Sequence, residues 1–234
     1  SAENAFFDCD AFTDFSYVNF SSNLSFDHAV FSHGSLNFTH CTFNTEKVDF
    51  SNCSFHSHQT LFQYAEFNCE LLKFENSSFN GELVSFINAS LKCDLVNFKR
   101  VNFNQSKVKF HFAEFGDGLK TFEKIKFNGP VLDFRRVVFN KGKIDFRRSL
   151  FGSGHITFEE SEITSGKMTF RLSKFEGGDI SFRRMNFGKS EANFDHIDFG
   201  SRTISFESAI ANEISISNSD IHATLDLRIK REKK

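Results

Sequence analysis

Residues 50–97 read FSNCSFHSHQTL, FQYAEFNCELLK, FENSSFNGELVS and FINASLKCDLVN, four consecutive blocks of twelve that differ in most positions and share a pattern. Each begins on phenylalanine. The rule runs far beyond this stretch: a phenylalanine falls at position 15, again at 26, and then every twelve residues to Phe206, seventeen in all. Five residues after them comes a second series, from Phe20 and Phe31 to Phe199, broken only by Leu91, Ile163 and Ala211. Together the two series use 31 of the 35 phenylalanines. Self-similarity this strict marks a stack of repeated backbone units.

The shared pattern is F-x-x-[small or aliphatic]-x-F-x-x-x-x-[aliphatic]-x. Two residues before each large residue stands another small or apolar one: Ala65 before Phe67, Ala113 before Phe115, Val48 before Phe50, Ile144 before Phe146 and Ile180 before Phe182. Period two over three residues is a short strand with one buried face. Spacings of five and seven wander around a helical cylinder, so a helix buries no such stripe. Turn residues cluster in the longer limb, as in Asn80-Gly81, Gly116-Asp117-Gly118, Asn128-Gly129-Pro130 and Gly177-Gly178. Each unit is two very short strands and two bends.

The motifs AEF at 65–67, SSF at 77–79, AEF at 113–115 and SKF at 173–175 carry a small residue two positions before a large central one. In this the chain resembles the pentapeptide-repeat family over roughly residues 15–221. The resemblance implies an all-β, right-handed quadrilateral parallel β-helix with inward phenylalanine stacks. Every second unit here has seven residues, which resembles the expanded, Phe-rich branch of that family. Near the end, Phe206, Ala211, Ile216 and Ile221 return to five-residue spacing.

Charge decides between a flat solenoid with 12 residues per coil and one with about 24. Outward side chains on successive coils lie only ~4.8 Å apart, where like charges repel. Twelve per coil sets Arg135-Arg136 over Arg147-Arg148 and Asp133 over Asp145. Twenty-four per coil gives the ladder Arg135-Arg136, Glu159-Glu160, Arg183-Arg184, Glu207 and places Asp49 beside Lys73, although Arg147 and Arg171 still stack. The expectation is therefore about 24 residues per coil and about eight coils, a rod roughly 40 Å long at the usual strand spacing.

The open edges of a solenoid need covering. Residues 1–14 break the register and are expected to form an N-terminal cap in which Phe6, Phe7 and Phe12 fold over the first coil, with the solenoid over 15–217. Residues 218–234 are expected to hold a C-terminal cap or edge strand, Leu225-Asp226-Leu227-Arg228-Ile229, and a basic tail, Lys230 to Lys234. Leu225, Leu227 and Ile229 are candidates for a two-fold dimer edge. Five cysteines, all within the first 93 residues and without metal-finger spacing, fit a reducing compartment, with Cys41 and Cys53 in an inward slot that other repeats fill with Ala, Ser or Val. No apolar run reaches membrane-spanning length and no signal peptide stands at the start. A cytoplasmic location is the expectation, with an exported or membrane-tethered one if these residues are part of a longer chain.

A convex rod filled with phenylalanine offers few concavities for catalysis, so no enzyme, cofactor or metal role is expected. The best histidine-cysteine cluster, His40, Cys41, Cys53, His56 and His58, mixes inward and turn positions and reads as unrelated side chains. Residues 1–117 hold fourteen acidic against seven basic side chains, and 118–234 hold sixteen against twenty-one. Arg135, Arg136, Arg147, Arg148, Arg183 and Arg184 are candidates for a partner surface, although the interleaved glutamates favour a self-neutralising ladder over nucleic-acid binding. Leu71, Leu83, Leu95, Leu119 and Val131 form a second candidate surface, apolar where solvent is expected. The leading reading is a non-catalytic scaffold that presents a rigid lateral surface to another protein. Alternatives are the DNA-mimicking, topoisomerase-binding role that the family resemblance implies, and a sensor attached to a membrane segment outside this sequence. Ice binding lacks the ranks of threonine it requires.

Overall fold

A chain that buries one large ring every half coil is forced to bring its backbone back to the same place at each turn. In the computed structural model, which describes residues 1–200, 203–222 and 224–230, it does so with strands of two to four residues. One coil runs through Ser54–Phe55, Gln59–Leu61, Glu66–Asn68 and Leu71–Lys73, after which Ser78–Phe79 returns to pair with Ser54–Phe55. Four faces result, with parallel ladders along each. Leu71 pairs with Leu95 and Leu95 with Leu119, so a coil takes 24 residues and the 12-residue alternative falls away. Among the described residues there is no helix long and apolar enough to cross a membrane.

One face has ten rungs and the face opposite has nine, against the eight expected. The difference lies at the ends, where irregular sequence still joins the ladder. Phe6–Asp8 pairs with Val30–Ser32 and Phe12–Asp14 with Ser35–Asn37, so much of the stretch expected as a cap forms outer rungs. Phe7 stacks on Phe31, whereas Phe6 and Phe12 face outward. At the other end Thr224–Asp226 is the last strand of the ten-rung face. Coils are shorter there, with Glu191 opposite Glu213 and Thr203 opposite Thr224. Leu225 and Ile229 pack on the core, while Leu227 is half exposed. Lys230 bridges to Ile210, and the rest of the expected basic tail, 231–234, lies outside the described residues.

The core is built of inward columns of side chains, four of them mainly phenylalanine and the others aliphatic or small. Phe38, Phe62, Phe86, Phe110, Phe134, Phe158, Phe182 and Phe206 make one, with successive centroids 4.7 to 5.2 Å apart and planes within 9°. Phe26, Phe50, Phe74 and their successors make a second, which meets the first edge-on, as at Phe74 and Phe86 (5.8 Å, 90°). Each ring thus has stacked neighbours above and below and an edge contact beside it, and each burial contributes roughly 1.5 to 3 kcal/mol. In the small inward slot, Ser77 Oγ donates to the Phe50 carbonyl at 2.6 Å and accepts the Cys53 backbone N–H at 2.9 Å. Cys53 Sγ donates to Phe26 O at 3.0 Å and Cys41 Sγ to Phe15 O at 2.8 Å. Burial pushes these thiols up, Cys41 to about 11 and Cys53 to about 12, which keeps them protonated and unreactive. Cys69 and Cys93 are joined as a disulfide across successive coils, a pairing the reading of a reducing compartment did not foresee.

The corner after a twelve-spaced phenylalanine is a turn, closed at many corners by its own carbonyl, as in Ala29 N–H to Phe26 O at 2.8 Å, and at others by a serine hydroxyl of the next coil, as in Val137 N–H to Ser161 Oγ at 3.0 Å. Its third residue has positive φ, a demand that Gly or Asn meets without strain. Asn52 and Asn76 suit it, but Tyr64, Phe112, Glu160 and Leu172 occupy the same position at φ 56 to 64°. The ladder holds them there: Tyr64 N–H donates to Ile87 O and Phe112 N–H to Arg135 O. We expect Leu172→Asn to raise stability by about 1 kcal/mol in chemical unfolding, since an exposed side chain is exchanged for one that tolerates this backbone.

One inward position breaks the chemistry of the core. Lys120 occupies an aliphatic slot between Val96 and Ile144, fully buried, with Nζ donating to Lys141 O at 2.6 Å and Gly118 O at 3.2 Å. Desolvation pushes its amine down to about 8, with Asp117 opposing. Below that pH both folded and unfolded chains are protonated and the burial penalty is constant. Above it the unfolded chain, with an ordinary pKa near ~10.4, holds the extra proton, so stability rises with pH until both are neutral. Lys120→Met is expected to be more stable than the parent at pH 7 by on the order of 2 kcal/mol. That advantage should shrink between about pH 8 and 10.5, as followed by denaturant titration.

Candidate functional site

Because a twelve-residue unit is half a coil, neighbouring units in sequence stand on opposite sides of the rod. The five apolar candidates are divided accordingly. Leu71, Leu95 and Leu119 are in register on the nine-rung face. Leu83 and Val131 lie on the ten-rung face, where Lys107 follows Leu83 in the ladder. The three leucines form a window three rungs tall, about 10 Å between its outer rungs. Leu71 and Leu95 are half-buried and Leu119 is 37% exposed. Lys47 precedes the window and Lys143 follows it, tied to Asp49 at 2.8 Å and Asp145 at 2.7 Å respectively.

The arginine candidates divide in the same way. Arg135, Arg136, Arg183 and Arg184 share one corner with Glu159 and Glu160 between them. Arg136 Nε meets Glu160 at 2.6 Å, Arg184 bonds the same carboxylate, and Arg183 Nε meets Glu207 at 3.1 Å. Arg147 and Arg148 stand at the opposite corner, where Arg148 reaches Glu123 at 3.6 Å. Arg135 and Arg147 also clamp the aspartate two residues before them, Asp133 and Asp145, each at 2.7 Å. Burial alone would raise these two carboxyls. Hydrogen bonds from Arg135 to Asp133, and from Arg147 and Lys143 to Asp145, together with backbone N–H groups, outweigh it and hold both below the usual carboxylate range.

An aromatic column was not read from the sequence. Tyr17, His40 and Tyr64 stack on the outer surface with centroids 4.8 Å apart and planes within 10°, and Phe112 lies further along with Arg136 5.4 Å over its ring. Each stands two residues after a twelve-spaced phenylalanine in alternate units. That shared place in the unit, one coil apart from Tyr17 to His40 to Tyr64 and two coils on to Phe112, is the signal that identifies them. Tyr17 is 76% exposed.

The concavities are shallow grooves between columns, each lined by only a few side chains. One of about 260 Å³ is bordered by His111, Arg135, Arg136, Glu159, Glu160 and Arg184, groups largely engaged with one another. Among the described residues no three His, Cys, Asp or Glu side chains gather closely enough to hold a metal ion.

No family model and no curated protein matches the chain. Among solved structures it is similar to HetL, a pentapeptide repeat protein involved in heterocyst differentiation regulation from the cyanobacterium Nostoc sp. strain PCC 7120. Sequence identity is 10% and the TM-score 0.27, over 92% of this chain and 89% of that one. The solenoid is set by the strand registers above, whatever that score.

Glu160→Gln leaves Arg136 and Arg184 facing each other across one coil. The variant is expected to melt below the parent at low ionic strength, with the deficit shrinking as salt approaches about 1 M, where charges beyond ~3 Å are screened.

Proposed function

We propose that the chain is a non-catalytic scaffold whose lateral surface recognises another protein. The observation that carries this reading is the Leu71, Leu95 and Leu119 window, an apolar strip held on three strands each paired on both sides. Surface of this kind on a repeat protein is pre-ordered, so binding costs little conformational entropy. Lys47 and Lys143 close its ends, each tied to its own aspartate, so the window suits a partner segment that is apolar over the three rungs. The alternation of Arg136, Glu160 and Arg184 supports a protein partner over DNA mimicry, which requires a continuous line of acidic groups.

The triple substitution of Leu71, Leu95 and Leu119 by serine tests the proposal. The side chains are outward, so the melting transition should stay within a few degrees of the parent. Partner proteins recovered by affinity capture from cell extract and identified by mass spectrometry should be lost from the variant. Recovery of the same partners by both proteins overturns the assignment to this window.

A further inference from the structure

Further along the nine-rung face, beyond the leucines, the surface becomes a basic groove. Lys143 and Lys167 form one wall in register, and Arg147 and Arg171 the other, where Arg148 N–H donates to Arg171 O across the coil. Thr169 and Asn193 complete the lining of a groove of about 320 Å³.

The two rungs are not equivalent. In the sequence Asp145-Phe146-Arg147 the aspartate lies buried on the floor, and both Arg147 and Lys143 bind it at 2.7 Å. The same Asp-x-Arg clamp closes at Asp133 and Arg135 and at Asp226 and Arg228. One coil above Asp145 the triplet is Thr169-Phe170-Arg171, and the carboxylate is missing. Lys167 turns away to Glu191 at 2.6 Å. Arg171 has no acidic partner among the described residues, since Asp195, next in its column, accepts instead from Ser215, Asn193 and the Ser217 backbone. Thr169 Oγ1 accepts the Arg171 backbone N–H at 3.3 Å, which leaves its own hydroxyl hydrogen to donate.

We infer that this rung is a binding site for a compact oxyanion, a phosphate group carried by a small molecule, which supplies the acid that the Asp-x-Arg pattern lacks here. Charge sets the valence. Four cations line the groove, Asp145 and Glu191 offset two of them, and the surplus of two matches a phosphate dianion. The guanidinium of Arg171 offers paired donors in the geometry that a phosphate accepts, and the Thr169 hydroxyl adds a third. Length sets the size. Glu123 stands one coil before Arg147 in the same column and Asp195 one coil after Arg171, so the cationic stretch is only two rungs long. An extended polyanion laid along the rod would meet carboxylates at both ends.

Phosphorus NMR and calorimetric titration of the whole chain with inorganic phosphate at pH 7.5 and low ionic strength test the site. One saturable site is expected. Arg171→Gln should weaken it at least tenfold, and Thr169→Asp should abolish it, because an aspartate in that slot recreates the Asp145 clamp that the fold already accommodates one coil earlier. Arg183→Gln, on the other corner, should bind phosphate like the parent. Non-saturable binding, or equal affinity in the parent, Arg171→Gln and Thr169→Asp proteins, overturns the assignment. A DNA duplex that displaces phosphate from the parent at lower concentration, with the same sensitivity to Arg171→Gln, overturns the restriction to a compact anion.

Discussion

Everything in this molecule depends on a coincidence of lengths. Parallel strands lie about 4.8 Å apart, and offset aromatic rings stack comfortably at that separation. A phenylalanine that returns to the same place on every coil therefore satisfies the backbone ladder and the ring stack together. In the column from Phe38 to Phe206 no centroid spacing departs far from that value. The second column, from Phe26 to Phe194, sits half a coil away and meets the first with ring planes nearly perpendicular. The twelve-residue repeat is the sequence trace of these two columns being visited in turn.

So regular a core constrains the backbone at the corners more than in the strands. To bring a five-residue limb around the corner, the chain must place one residue per turn at positive φ, and it does so with whatever side chain the sequence supplies, bulky ones included. Coil-to-coil hydrogen bonds hold these residues in place. Along one edge the constraint is absolute: Gly142 and Gly166 follow Gly118 coil upon coil at φ near or above 100°, and a Cβ on any of them would press within about 2 Å of the carbonyl one coil earlier. The core tolerates chemical exceptions provided that they reach a partner. Lys120 does so through the carbonyls of Gly118 and Lys141.

Because the interior is uniform, individuality lies in the outward columns. Each column samples one residue per coil, so its character changes in steps of 24 residues along the sequence and 4.8 Å along the rod. The nine-rung face passes from Lys47 through three leucines to Lys143, Lys167 and Glu191. The corner that begins with stacked Tyr17, His40 and Tyr64 ends in alternating arginine and glutamate. Such graded stripes bring together residues that are distant in sequence.

The sequence by itself determined the repeat, the inward positions, the all-β class and the 24-residue coil, because ring burial is periodic and like charges avoid stacking. Asp49 beside Lys73 and Glu160 between Arg136 and Arg184 were legible for that reason. Only the tertiary structure decided which outward residues are neighbours. It turned Lys167 to Glu191 rather than to Asp145, and it paired Cys69 with Cys93. It also drew residues 6–14 into the ladder. The physical reason is that inward side chains obey one rule set by strand spacing, whereas an outward side chain answers to the two coils above and below it. Those neighbours are named only when the path of the whole chain is known.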